Sequence, residues 1–137
     1  MSRHAVHRHQ LAFGVRGGRD GPLRAELRFD SREPYAVTIS FEATGDEPVE
    51  WLLARELLAE GLRGPAGEGD IRLRPATEDP AAVLVDLRGR HGWMELVAPR
   101  GELVGFLACA HVLVPPGREG CWLGLDENLD LLLAGED

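Results

Sequence analysis

His4, His7 and His9 stand within six residues of one another near the start of the chain. Imidazole suits transition metals, so three at that density could chelate one. On an extended strand His7 and His9 would share a face. No carboxylate or cysteine stands nearby to complete a closed site. The plainer reading is a solvated, fraying terminus. His91 falls in a turn and His111 on a helix, and neither has a sequence-local partner for general-base work. Cys109 and Cys121 form no CxxC or CxxH pair and read as two buried thiols that pack as small apolar groups. Glu47, Glu50, Glu56 and Glu60 read as a solvated face rather than a catalytic pair. The Gly64 to Gly69 stretch is glycine-rich, but no GxGxxG opens a helix there. No Gly-x-Ser-x-Gly elbow is present, and a chain without lysine cannot carry the phosphate-binding loop that requires one. The sequence therefore assigns no catalytic, cofactor-binding or metal-ligating residue, and no cofactor is expected.

Two groups of residues suit contact rather than catalysis. Arg72 and Arg74 lie two apart on an extended segment, so both point off one sheet face. That pair suits an acidic partner or a phosphate backbone. The competing reading is pairing with Glu and Asp on neighbouring strands. The second group lies on the helix that follows Pro99. Leu103, Phe106, Leu107 and Ala110 form its core stripe, while Gly105, Ala108, Cys109 and Val112 face the other way. A helix this small and apolar nearly all round is covered on both sides or presents a contact surface. A subunit or partner interface is one expectation; burial under the chain's own C-terminal segment is the other.

The elements that must hold these residues alternate at period two. Leu23, Ala25, Leu27 and Phe29 interleave with Arg24, Glu26, Arg28 and Asp30. Tyr35, Val37, Ile39 and Phe41 follow in the same manner, after turn residues Asp30 to Pro34. Half-buried antiparallel strands are the expectation. A weaker strand precedes them from Val6 to Val15, and Val49 to Leu53 makes a fourth. A short helix near Leu52 to Glu60 places Ala54, Leu57, Leu58 and Leu62 on one arc and Arg55, Glu56, Ala59 and Glu60 on the other. Gly61 stands where a left-handed cap is wanted. Three more strands follow: Ile71 with Leu73, then Val83 to Leu87, then Trp93 to Ala98. Val114-Pro115-Pro116-Gly117 stops the Pro99 helix. Cys121 to Leu125 reads as a strand or packed loop, and Asp126 caps a short terminal helix with Leu129, Leu132 and Leu133. Tyr35 and Phe41 fall on the apolar face, and Trp51, Trp93 and Trp122 read as core, which leaves no stacking platform for single-stranded nucleic acid. The class is α+β, mostly antiparallel β, with about seven strands and two or three helices.

With 137 residues, the chain has the length of a single domain, residues 1–137. Its composition, 44% hydrophobic and 28% charged, excludes a disordered tail. No apolar run reaches the roughly 20 residues that span a bilayer. The opening MSRHAVHRHQ has no apolar secretory core, so no signal peptide and a cytoplasmic address are expected. Net charge is −8, which disfavours nucleic-acid binding over the whole surface. Residues 1–32 carry 7 Arg against 3 acids, so a local basic patch remains open, and single-stranded nucleic-acid binding stands as the alternative function.

Leu27-Arg28-Phe29-Asp30, Glu33-Pro34-Tyr35-Ala36-Val37 and Val49-Glu50-Trp51 are spaced motifs that together resemble the SsgA-like sporulation and cell-division proteins of actinobacteria. Leu27-Arg28-Phe29-Asp30 and Glu33-Pro34-Tyr35-Ala36-Val37 match its opening motif. Val49-Glu50-Trp51, Ala54-Arg55 and Leu57 to Leu62 resemble its most recognisable block. Gly69-Asp70-Ile71-Arg72, Pro75, Phe106-Leu107, Val114 to Gly117 and Leu125-Asp126 with Leu129 follow in the same order. The resemblance covers about residues 23 to 134, with the SsgB-like branch favoured. It implies a barrel-like antiparallel domain similar to the Whirly fold, assembled as a trimer. It implies a non-enzymatic cytoplasmic protein at the septum, whose partners are the division GTPase FtsZ and other SsgA-like proteins. No family active site exists to carry over.

Overall fold

The structure is a computed structural model and describes residues 5–16, 21–42, 49–67, 69–90 and 92–119. Among the described residues seven strands run in chain order β1 (Val6–Val15), β2 (Leu23–Asp30), β3 (Ala36–Phe41), β4 (Val49–Ala54), β5 (Ile71–Pro75), β6 (Ala82–Gly89) and β7 (Gly92–Pro99). Helix α1 (Arg55–Gly61) joins β4 to β5, and helix α2 (Arg100–Leu113) follows β7. Every strand pair is antiparallel, and the order across the sheet is β4-β3-β2-β1-β7-β6-β5. The sheet curls into a nearly closed barrel, with α1 lying against both edge strands, β4 and β5. The expected α+β class, the strand count and the barrel-like form are those observed.

Pleating decides which residues fill the interior. Along β2 the register buries Ala25, Leu27 and Phe29 and leaves Arg24, Glu26 and Arg28 outward. Val37, Ile39 and Phe41 do the same on β3. With Phe13, Leu96, Leu103 and Phe106 they form one core, and Phe13 and Phe41 meet ring to ring at 5.4 Å. The void left between Phe13, Leu27, Ile39, Leu73, Val85 and Leu103 is only about 10 Å³, room for no more than one water. Among the described residues the barrel interior is a packed core with no room for a ligand.

The β2–β3 turn forms as its residues require. Glu33 N–H donates to the Asp30 carbonyl and Arg32 N–H to Asp30 Oδ1. Ser31 is buried there, where its hydroxyl accepts from Ala5 N–H and fixes the start of β1. The turn runs one residue further than period two suggests, because Ala36 N–H still bonds the Glu33 carbonyl. Tyr35 therefore precedes the strand and is 52% exposed rather than set on the apolar face.

Strand β1 divides its pairing. Val6 to Phe13 pair with β2, while only Gly14 and Val15 pair with β7. The N-terminal half of β1 therefore parts from β7, and α2 packs against both strands. His7 stacks on Phe106 at 5.4 Å, and His9 Nε2 lies 2.8 Å from Glu102 Oε1. These histidines are built into a ten-residue strand; they do not lie on a fraying terminus. His4 lies outside the described residues, and no metal-binding group of three is present among those described.

Helix α1 is shorter than the Leu52 to Glu60 span, because Leu52, Leu53 and Ala54 stay paired with Thr38, Val37 and Ala36. Gly61 does not adopt the left-handed conformation expected of it; it remains helical. Its glycine identity serves a close approach instead, since a Cβ there would lie 2.5 Å from Leu73 Cβ. The predicted last strand and terminal helix fall in residues 120–137, outside the described residues.

These contacts set opposite expectations for two glycines. Gly61→Ala should lower unfolding stability by about 1–3 kcal/mol through overpacking on Leu73. Gly105→Ala meets open space on a helix and should be neutral or raise stability by up to about 1 kcal/mol. Urea unfolding of both variants checks the pair.

Candidate interaction surfaces

Arg55 is the first residue of α1, and only 2% of it is exposed. Its Nη1 donates to the carbonyls of Ala110 at 3.1 Å and Val114 at 2.6 Å. Its Nη2 donates to Glu119 Oε2 at 2.8 Å, and the guanidinium lies 5.2 Å over the Phe29 ring. Ala110 belongs to the last turn of α2, where its carbonyl also accepts from Val114 N–H, and the negative end of the helix attracts a cation. One guanidinium thus ties α1, the end of α2, the following turn and the barrel wall. The helical wheel missed this residue by placing it on the solvated arc; as the first helical residue it instead follows the end of β4 inward. Its place in the Ala54-Arg55 motif was the one signal for it.

Beside this knot lies a cleft of about 490 Å³, lined by Tyr35, Glu56, Arg63, His111 and Glu119 among others. Burial and the Arg55 charge push the His111 imidazole pKa down, against a smaller pull upward from Glu119. Backbone hydrogen bonding at Glu119 itself and the Arg55 contact hold the Glu119 carboxyl below its ordinary value.

The outer face of β5, β6 and β7 carries Arg72 and Arg74, together on one face as their spacing requires. Their surroundings differ. Asp86 on β6 and Glu95 on β7 stand directly opposite each other, an arrangement that repels. Arg74 reaches both, at 2.7 Å and 3.1 Å, and Arg16 adds a 3.1 Å contact to Glu95. The Asp86 hydrogen bond raises the Arg74 pKa against a smaller burial effect. Arg72 makes no ion pair among the described residues; its guanidinium lies 4.6 Å over the ring of Trp93. Arg88 approaches the same ring at 5.6 Å. Trp93 is 44% exposed, whereas the sequence reading put it in the core. It faces out because it is paired with Arg88 near the β6–β7 hairpin, on the outward side of the pleat. Trp51 is partly buried against the core, and Trp122 lies outside the described residues.

Helix α2 divides as its sequence indicates. Leu103, Phe106, Leu107 and Ala110 are buried. Gly105, Ala108 and Cys109 are exposed, and so are Val104 and Val112, the last at 80%. Cys109 is a free, exposed thiol, not a buried one, because it falls on this outer arc. No helix among the described residues is long and apolar enough to cross a membrane.

A curled antiparallel sheet with a helix across its open side and another against β1 and β7 defines a small β-barrel-like domain. Residues 23–119 match the family model described as Streptomyces sporulation and cell division protein, SsgA, and the chain belongs to that family. It is 42% identical over 112 residues to the sporulation-specific cell division protein SsgB of Saccharopolyspora erythraea, covering 82% of this chain and 79% of that one. It is 41% identical to SsgB of Streptomyces coelicolor, covering 82% and 83%. A solved SsgA-like sporulation-specific cell division protein from Thermobifida fusca superposes with a TM-score of 0.83 at 30% identity, covering 95% of this chain and 97% of that one.

Two outcomes follow from the Arg55 knot. Arg55→Met should destabilise the fold by about 1–3 kcal/mol, because the Val114 carbonyl and Glu119 Oε2 lose this donor and the Ala110 carbonyl loses one of two. Urea unfolding checks it, with a loss under about 1 kcal/mol counting against a structural role. His111 titrates below 6.5 in the folded chain, so on acidification the unfolded chain takes up that proton first. Stability should fall as pH drops below 6.5, and His111→Gln should flatten that part of the profile. The Glu119 contribution acts at lower pH: it is present above 4.5 and lost as pH falls through its lowered value.

Proposed function

We propose that this chain is a non-enzymatic regulator of cell division and sporulation, a scaffold that helps position the septum by recruiting division proteins such as FtsZ and other SsgA-like proteins. It works as a homo-oligomer, a trimer, on the cytoplasmic side of the septum. The observation that carries this reading is the outer arc of α2, where Val104, Gly105, Ala108, Cys109 and Val112 leave an apolar strip open on a helix whose inner stripe is already satisfied. Such a strip favours association. The curated relatives support the division role by name. Oligomerisation supplies the mechanism: repeating one modest contact on a rigid body raises avidity without a catalytic step.

Binding of single-stranded nucleic acid is the rival, and the net charge of −8 weighs against it. Light scattering after gel filtration should give three times the 15.0 kDa chain mass, and Val112→Glu with Ala108→Glu should give one. Immobilised protein should retain purified FtsZ. A wild-type monomer, or tight oligonucleotide binding without FtsZ retention, would overturn the reading.

A further inference from the structure

We infer that the Trp93 platform on the outer face of β5, β6 and β7 is a docking site for an acidic, extended segment of a partner protein. This rests on the reading of the chain as a protein that works by binding others, and it adds the chemistry of the partner. Arg72 and Arg88 place their guanidinium carbons 4.6 Å and 5.6 Å from one ring centre, and so within about 10 Å of each other. Arg90 adds an exposed guanidinium-bearing residue in the adjoining turn. On a chain of net charge −8, this concentration of arginine stands out.

The platform is organised for carboxylates. A guanidinium lying over an indole ring loses rotamer freedom before any partner arrives, and its forked N–H groups match a carboxylate in plane. Arg72 has no competing ion pair among the described residues. Arg88 pairs with Asp70 at 2.8 Å, but both side chains are more than half exposed, so an incoming carboxylate exchanges with Asp70 at little cost. The acids that would repel a partner, Asp86 and Glu95, are already engaged by Arg74 and Arg16. Alternate residues of an extended chain lie about 7 Å apart on one side, which fits two carboxylates to two guanidinium groups inside that 10 Å span. A nucleic-acid strand fits less well. It needs open aromatic faces and a basic track, whereas this one ring is occupied by cations and the cluster is compact.

The test is fluorescence anisotropy with a labelled peptide of about a dozen residues that alternates Glu with Thr, at roughly 50 mM salt. Saturable binding that weakens as salt rises is expected. Arg72→Glu and Arg88→Glu should each weaken it about tenfold or more, and Trp93→Ala should weaken it while Trp93→Phe retains most of it. Arg24→Glu makes the same charge change on the outer side of β2 and should leave affinity within about twofold. A thermal melt of each variant confirms folding. Absence of peptide binding, an equal loss in Arg24→Glu, or tighter binding of a labelled oligothymidylate of equal length would overturn the proposal. FtsZ retention separates the two readings. If Arg72→Glu and Arg88→Glu retain FtsZ as wild type does and still bind the peptide, this site is wrong and the division role stands. If wild type binds the peptide through these residues but retains no FtsZ, the platform stands and that partner is wrong.

Discussion

A positive charge sealed from water governs the helical half of this molecule. Arg55 enters an environment that would reject an unpaired cation, and it is tolerated because both terminal nitrogens have acceptors and an aromatic ring lies over the guanidinium. Two carbonyls at the end of α2, one carboxylate and one aromatic ring all converge on it. Apolar side chains could fill that volume, but none could also satisfy helix-terminal carbonyls. The position of α2, and hence the direction in which its outer strip faces, depends on this ion. The exposed arc of α2 is thus anchored by the least accessible charge among the described residues.

The outer face of β5 to β7 shows the opposite economy. Arg72 and Arg74 share a residue type, a strand and a face. Arg74 is consumed in separating Asp86 from Glu95, which would otherwise stand opposed across neighbouring strands. Arg72, two residues away, lies over an indole and keeps its hydrogen-bonding edge available. Cross-strand register, not composition, makes one arginine internal support and leaves the other over an exposed indole ring.

Much of the barrel was legible because pleating writes itself into sequence. Val6 to Val15, Leu23 to Phe29 and the Leu103, Phe106, Leu107, Ala110 stripe all fall where periodicity places them. Departures occur where a long-range contact overrides a local pattern. Tyr35 leaves the apolar face because a turn bond extends to Ala36. Gly61 is glycine for the sake of Leu73, which lies twelve residues on and is invisible to any capping rule. Arg55 looked solvated because a wheel knows nothing of the carbonyls that α2 brings to it from fifty-five residues away. The Trp93 platform was hidden for a related reason: a large aromatic residue reads as core unless the cationic residues across the sheet are known.

The bond between β1 and β7 carries a consequence for how the chain reaches this shape. Gly14 and Val15 meet Val97 and Leu96, partners about 80 positions later, and Arg16 adds a backbone hydrogen bond and an ion pair to Glu95. The first four strands can pair by short hairpins as they leave the ribosome, and so can the last three. The two halves cannot join until β7 exists, and loop closure of that length is slow. Until β7 and α2 dock, the edge of β1 that faces away from β2 is unmatched backbone, and that edge is where mispairing threatens the folding chain.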